Sequence, residues 1–275
     1  MSKRIKIFNE GISYKDRMDM RQPFAKGHAI FHVIKGTEET IFEEFNKVIV
    51  PGSAFTAMKH FKDLPISMKT QTYNTALGLD NITSITDQEE RLDQYVYLFA
   101  LGISGCGPEN SQVYDVDYTK WIAPEDLVPF KYQLTANDLS DADREKYFGR
   151  KAIPASDRIA YYFKSFETDP VFRQQYIDGT PIDENIYISD NQLDVQSYVE
   201  LKLSVTTRDC RDYFVATTGI NDARINTISL LTAIPKEVNG YTVYQNIRPL
   251  TKLNFPNISL IDEDTAVDII YQIFY

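Results

Sequence analysis

The chain has 275 residues, of which 43% are hydrophobic and 25% are charged, so it can bury a sizeable core in one large β domain or two smaller domains. Its formal net charge of −10 argues against a nucleic-acid binder held by phosphate neutralisation and against docking on an anionic membrane surface, and it suits a basic partner. The two cysteines, Cys106 and Cys210, do not indicate a secreted disulfide framework. We expect both to be reduced, and one or both to be buried.

The first 27 residues are predicted to form an N-terminal arm. Met1–Phe8 has the pattern of a short basic strand, and the polar residues that follow it are typical of an extension that wraps a neighbouring molecule. The basic start lacks the long apolar core of a signal peptide, and no run of about 18 apolar residues predicts a transmembrane helix.

The next segment predicts a β-hairpin followed by a long excursion. His28–Ile34 and Thr40–Phe45 are apolar runs joined by a glycine-containing loop, which is typical of paired strands. Lys47–Val50 predicts another strand, and Ser53 is placed to cap a short helix. Residues 63–90 are polar and are predicted to form a long loop.

The middle of the chain predicts one deeply buried strand and one short helix. Arg91–Ile103 is almost continuously apolar, which indicates a strand buried on both faces. Val128–Leu134 predicts an edge strand because it contains a proline. Ser140 begins a capping-box pattern that predicts a helix over Asp141–Phe148, with Gly149 as its stop.

The second half of the chain is rich in strand signals. Val195–Val205 alternates between apolar and polar residues, and Ala266–Tyr275 carries β-branched and aromatic residues at a period of two. The Asn239-Gly240 dipeptide predicts a hairpin turn. Asp169-Pro170 predicts a turn or a short helix through Tyr176. Further strands are predicted at Arg158–Phe166, Asn185–Ile188, Thr227–Ile234, Tyr241–Gln245 and Leu250–Phe255, with a short helix or strand around Tyr213–Val215.

These elements predict a mainly β fold, an antiparallel β-sandwich or barrel-like body with long loops, a few short helices and an N-terminal arm. The predicted organisation is an arm over residues 1–27 and a single β-rich domain over residues 28–275, with a sub-boundary near 135–157 as the alternative.

No residue set predicts a catalytic, cofactor-binding or metal site. The glycines between Gly102 and Pro108 do not have the spacing or the following helix of a dinucleotide-binding loop. Cys106 would need a nearby histidine to act as a nucleophile. His28 and His32 lie four residues apart on a predicted strand, which separates their side chains. Paired carboxylates for glycoside hydrolysis stay open as an alternative, although such sites favour tryptophan and the chain has only Trp121.

The most unusual charge pattern is the alternating run from Arg208 to Asp212. It predicts either a solvated surface patch or a belt of salt bridges between subunits, because arginine suits bidentate pairing in interfaces. The candidate interface residues are Arg208, Asp209, Arg211 and Asp212.

Two pairs of stretches carry a resemblance to a known class of proteins. They are Leu98–Gly102 with Val128–Tyr132, and Leu250–Pro256 with Ile269–Phe274. Such stretches are similar to ones in virion structural proteins of large tailed bacteriophages. The resemblance covers part of the chain and carries no functional residues with it.

The resemblance implies a non-enzymatic protein that forms a homo-oligomeric ring, a neck or head–tail connector or a tail-completion component. It implies contacts with other virion proteins, no cofactor, no membrane, and DNA that at most passes through a channel. The expected location is the virion, and the host cytoplasm during assembly. Alternatives are a capsid-decorating or baseplate protein, a cell-wall- or carbohydrate-cleaving β enzyme with Glu109, Asp190 and Asp194 as residues to test, and a ligand-binding module, which would need a pocket.

Overall fold

A computed structural model describes ten segments of the chain. They are residues 4–6, 26–45, 47–48, 69–74, 78–84, 94–117, 121–135, 139–176, 179–181 and 195–274. Within these segments no helix is long and apolar enough to cross a membrane.

Strands account for most of the regular structure. In chain order they are β1 (Arg4–Lys6), β2 (Lys26–Lys35), β3 (Glu38–Phe45), β4 (Lys47–Val48), β5 (Lys69–Asn74), β6 (Gly78–Ser84), β7 (Tyr95–Gly102), β8 (Leu127–Val128), β9 (Lys131–Leu134), β10 (Tyr147–Ala152), β11 (Ile159–Ser165), β12 (Val171–Tyr176), β13 (Val195–Thr206), β14 (Arg224–Val238), β15 (Tyr241–Pro249), β16 (Thr251–Ser259) and β17 (Thr265–Phe274). The helices are α1 (Asp141–Arg144) and α2 (Thr207–Ala216), with 3-10 turns at Pro108–Asn110, Pro124–Asp126 and Ile220–Asp222.

The predicted terminal strand lies in the middle of the first sheet. The strand order is β1-β3-β2-β17-β13-β12, so β17 pairs with β2 on one side and β13 on the other. Tyr271 lies opposite Ala29 and Leu201 in this ladder, and all three are buried. The period-two pattern explains this placement, because every second residue of β17 faces the core while Asp268 is exposed.

The second sheet is organised around β14. Its main path is β10-β11-β7-β14-β15-β5-β6, and β16 also pairs with the first half of β14. β14 pairs with β16 from Arg224 to Ile228 and with β15 from Leu231 to Val238, and the register shifts once within each of these two ladders. β14 therefore pairs first with β16 and then with β15 along the same side.

The main core lies between the two sheets. Phe31 of the first sheet contacts Phe255 of the second, with ring centroids 4.6 Å apart. The Tyr271 hydroxyl and the Thr251 hydroxyl are 3.0 Å apart in the same interior. The packing of two largely antiparallel sheets confirms the prediction of a mainly β, sandwich-like body.

A second core covers the opposite face of the second sheet. Phe99 and Leu101 of β7 belong to the core between the sheets, whereas Leu98 and Ala100 belong to the second core. This confirms the prediction that β7 is buried on both faces. Trp121 helps to cover the second face and donates a hydrogen bond to the Ser229 hydroxyl at 2.6 Å.

Two segments that were predicted as loop or turn form strands instead. β5 and β6 make an antiparallel hairpin inside the predicted 63–90 loop. β12 replaces the predicted turn or short helix after Pro170, and it pairs in register with β13 from Val171 to Tyr176. Polar composition was misleading for β5 and β6, and the Asp-Pro start was misleading for β12, because in each case pairing with another strand decided the structure.

The helix predicted over residues 141–148 is much shorter. Ser140 does cap it, accepting a hydrogen bond from the Asp143 backbone at 3.2 Å, but α1 ends at Arg144. Gly149 is not the stop of a helix and lies inside β10 at a φ of +69°. A Cβ at Gly149 would be 2.3 Å from Phe163, so the glycine permits close contact between β10 and β11.

Several predictions fall outside the described residues. They concern the helix capped by Ser53, the strand at Asn185–Ile188 and the predicted arm apart from β1 and the first residues of β2. The division into an arm and one domain stays a prediction, as does the alternative boundary near 135–157.

Candidate functional site: an arginine- and tyrosine-lined cleft

A cleft of about 460 Å³ opens between β10 and the tip of the β14–β15 hairpin. The Asn239-Gly240 turn shapes this tip, and both residues have positive φ, as the sequence predicted for a tight hairpin. The walls combine aromatic and aliphatic side chains with two arginines. They are Leu139, Arg144, Tyr147, Phe148, Gly149, Arg150, Tyr161, Val238, Asn239, Tyr241, Thr242, Val243 and Tyr244.

Two arginines give the cleft lining a positive charge. Arg150 lies directly opposite Tyr161 in the β10–β11 ladder. Tyr161 is half-buried, and burial raises the pKa of its hydroxyl, although nearby Arg150 and Arg144 oppose that rise. Because guanidinium groups stay protonated, the arginines can bind an anion but are unsuited to giving up a proton.

An acidic side chain lies beside the cleft lining. The Tyr241 hydroxyl donates a hydrogen bond to Asp141 at 3.0 Å, and this carboxylate raises the pKa of Tyr241. Arg144 lies over the Tyr241 ring, 5.5 Å from its centroid. The Arg144 guanidinium therefore contacts the tyrosine that Asp141 holds in place.

Behind the cleft wall lies a buried charged network. The Tyr147 hydroxyl donates to Asp209 at 2.5 Å, and the Lys164 ammonium lies 3.2 Å from the same carboxylate. Lys164 and Asp209 are only 5% and 7% exposed. Lys164 also donates to the Ser204 carbonyl at 2.8 Å, so the buried ammonium has a neutral acceptor as well as its counter-ion.

The network fixes the protonation states of its members. Burial would raise the pKa of Asp209, but the Lys164 charge and hydrogen bonds from Tyr147 and Thr206 outweigh it and lower that pKa. Burial and the Asp209 carboxylate raise the pKa of Tyr147. Tyr147 therefore keeps its proton and acts as a donor, which indicates a structural bond rather than an acid–base pair.

The residues from Arg208 to Asp212, predicted as a candidate interface, form the first half of α2. Their side chains differ in exposure and in partners. Arg208 and Asp212 are exposed, whereas Arg211 pairs with Glu263 of the same chain. Asp209 is buried, and its carboxylate caps α2 by accepting a hydrogen bond from the Thr206 backbone N–H at 2.9 Å. Interface roles for the four residues stay predictions.

The glycine-rich segment after β7 is held by buried amides. Asn226 accepts a hydrogen bond from the Gly105 backbone at 2.7 Å and donates to the Asn257 side chain at 2.8 Å. Asn257 donates in turn to the Gly107 carbonyl at 2.9 Å. A Cβ at Gly105 would be 2.2 Å from the Asn226 carbonyl, so close packing accounts for this glycine.

The two described histidines each lie beside a glutamate of β3. His28 and His32 lie on β2 as predicted, beside Glu43 at 3.2 Å and Glu39 at 2.8 Å respectively. Among the described residues no three histidine, cysteine or acidic side chains are grouped to hold a metal ion. Asp190 and Asp194 lie outside those residues. Glu109 lies at an exposed 3-10 turn.

Both cysteines are buried and free, as predicted. Burial raises the pKa of the Cys210 thiol well above its ordinary value, and Asp209 adds to that rise. Cys210 therefore packs as a small apolar side chain in the core, next to the buried network.

The sequence patterns do not predict the cleft. Its walls come from three segments far apart in the chain: residues 139–150, Tyr161 and residues 238–244. Only the hairpin signal at Asn239-Gly240 marked one wall in advance. Comparison with known proteins adds no relative, since no protein-family model, curated protein or solved structure matches the chain.

Proposed function

We propose that this chain is a non-enzymatic structural subunit of a tailed-bacteriophage virion, forming a homo-oligomeric ring at the neck or head–tail connection, or completing the tail. The observation that carries the proposal is the contrast between the two edges of the first sheet. One edge holds an added N-terminal strand, and the other is β12, whose outer side carries a single bridge among the residues that the structure describes.

The N-terminal edge supports exchange between subunits. β1 pairs in parallel with β3, placing Arg4–Lys6 beside Glu39–Ile41. Residues 7–25 separate this short strand from β2. A short segment that adds to a sheet edge through main-chain hydrogen bonds can add to a neighbour's edge by the same chemistry.

The opposite edge supports reception of such a strand. β12 pairs with β13 on its inner side, and within the described residues only a single bridge, from Gln175 to Pro181, covers its outer side. Val171 on this edge is 39% exposed. An open strand edge is a template for pairing with another chain.

Two unlike edges favour head-to-tail contacts, which close into a ring when the rotation between subunits permits it. The net charge of −10 is consistent with a channel through which DNA passes without sticking. Assembly into the virion then takes place in the host cytoplasm.

Native mass spectrometry of the purified chain tests the ring. We expect a closed oligomer that dissociates on deletion of Met1–Phe8 or on Val171→Lys, which places a charge on the β12 edge. Val113→Lys is the matched control, because Val113 is similarly exposed and lies in the segment after β7, outside the first sheet and outside α2. A wild-type chain that stays monomeric at every concentration would overturn the ring.

Imaging of virions that carry labelled protein tests the location. We expect the label at the neck. A label spread over the capsid would instead support the decorating alternative, and a label at the tail tip would support the baseplate alternative.

A further inference from the structure

The cleft beside β10 has the dimensions and lining of a small-molecule site. Its volume of about 460 Å³ lies in the range of ligand pockets in proteins, which is roughly 300–1,000 Å³. Such pockets are mostly apolar and aromatic, with a few polar groups that orient the ligand. The cleft follows that pattern, since most of its walls are tyrosine, phenylalanine and aliphatic side chains.

The two arginines favour a negatively charged ligand. Arg144, Arg150 and Tyr161 all line the cleft, and Arg150 lies opposite Tyr161 in the β10–β11 ladder, in a protein whose overall charge is strongly negative. A guanidinium group presents paired N–H donors that match the two oxygens of a carboxylate or phosphate. The arginines therefore favour an anionic group over a neutral one.

The aromatic side chains of the cleft favour a flat or cyclic group in the rest of the ligand. Phe148 and Tyr244 meet edge to face with centroids 4.7 Å apart, and both line the cleft. Aromatic faces stack against flat or cyclic groups, such as nucleobases and sugars. Asn239 and Thr242 add hydrogen-bonding groups to the same wall.

Asp141 disfavours a second anionic group on the ligand. Its carboxylate accepts the Tyr241 hydroxyl hydrogen beside the cleft, and a second anionic group near it would be repelled. A ligand with one anionic group and a neutral, hydroxyl-bearing or amine-bearing cyclic group therefore fits this lining.

We propose that this cleft is a binding site for a small cyclic anion, a nucleotide or an acidic sugar, whose phosphate or carboxylate is bound by Arg150 and Arg144 while its cyclic group stacks on the aromatic wall. The site does not depend on the ring assembly proposed above. The experiments that test the site therefore measure ligand binding, and a monomeric chain would not contradict it.

Isothermal titration calorimetry of the full chain tests the site with two matched pairs of probes. The pairs are adenosine monophosphate with adenosine, and glucuronic acid with glucose. We expect one of the anionic probes to bind and its neutral partner to bind at least about tenfold more weakly, the loss that follows removal of a charge-assisted bond. Binding of adenosine monophosphate would show that the site takes a phosphate, as in a nucleotide. Binding of glucuronic acid would show that it takes a carboxylate, as in an acidic sugar.

Variants assign the binding to this cleft. Arg150→Met combined with Arg144→Met should weaken binding about a hundredfold, and Arg150→Lys should weaken it less because it keeps the charge but loses the paired donors. Arg158→Met is the control, since Arg158 is exposed outside the cleft. Circular dichroism establishes that each variant is folded.

Two results would overturn the site. One is that neither anionic probe binds at millimolar concentration. The other is that a probe binds equally well to the wild-type chain, to Arg150→Lys and to the double variant.

Discussion

Tyr147 on β10 and Asp209 on α2 are joined by a 2.5 Å hydrogen bond, although 61 residues separate them in the chain. Asp209 also caps α2 and neutralises Lys164 of β11, so one carboxylate ties a helix to two strands. The opposite side of Tyr147 lines the cleft. The shape of the cleft wall therefore depends on a bond made in the interior.

Asp209→Asn should lower the free energy of unfolding by about 2 kcal/mol, because it removes the buried carboxylate beside Lys164 and leaves only the more exposed Glu167, 3.4 Å away, as a counter-ion. Urea denaturation measures this change. Asp212→Asn on the same helix is the control, and because Asp212 is exposed its effect should stay within about 0.5 kcal/mol. Equal losses for the two variants would show that the network adds nothing to stability.

The stabilisation by Asp209 should depend on pH. Folding lowers the pKa of Asp209, so the unfolded chain binds more protons at this carboxyl group than the folded chain does. The stabilisation by Asp209 is therefore complete above the unfolded pKa, which is about 3.9. It is lost as the pH falls through the lower, folded pKa. The difference in stability between wild type and Asp209→Asn should therefore be constant near neutral pH and shrink below about pH 4. A difference that grows on acidification would contradict this assignment.

Gly105→Ala should destabilise the fold by about 2 kcal/mol or more, because the added methyl group would overlap the Asn226 carbonyl. Gly36→Ala is the matched comparison, with open space around the site but a φ of +55°, and it should cost about 1 kcal/mol. Denaturant unfolding measures both. Gly105→Ala should also increase proteolysis of the segment between Gly102 and Val116, whereas Gly36→Ala should leave it unchanged.

Deletion of Ile270–Tyr275 should make the protein insoluble, because it exposes the facing edges of β2 and β13. Deletion of Met1–Phe8 should preserve the fold, since β1 pairs only at the outer edge of the same sheet. The soluble fraction and the circular dichroism spectrum distinguish the two. A soluble, folded chain without residues 270–275 would contradict the role assigned to β17.

Charge reversal of Arg208→Glu with Asp212→Lys should weaken self-association while changing the unfolding free energy by less than about 0.5 kcal/mol, because both side chains are exposed. Analytical ultracentrifugation measures the association. Asp157→Lys with Arg158→Glu is a matched reversal on the exposed loop before β11 and should have no effect on it. Identical association for both double variants would remove α2 from the interface.

Local patterns predicted the strands whose two faces differ in polarity. β17 and β13 follow the period of two, and the Asn239-Gly240 dipeptide fixes its hairpin because both residues accept positive φ. β12 was not predicted, because the spacing of Phe172 and Tyr176 also fits one turn of a helix. Its pairing with β13 resolves that ambiguity, and pairing between distant segments is not written in either segment alone.

The sequence does contain a signal for α2, the helix that holds the charged residues Arg208–Asp212. Thr206 and Asp209 have the spacing of a capping box, and the apolar Cys210 and Phe214 follow four residues apart, which together predict a helix with one buried face. The cleft had no comparable signal, because its two arginines and its aromatic wall meet only once β10 and the β14–β15 hairpin are both in place.

The central position of β17 sets the order in which the chain can fold during synthesis. Lys35 pairs with Thr265, so the β2–β3 hairpin leaves the ribosome long before its partner strand exists. Until then the apolar faces of Phe31 and Val33 have no sheet to complete, and contacts between such distant segments form slowly. The β2–β3 hairpin is therefore expected to complete its packing only after β17 has been synthesised.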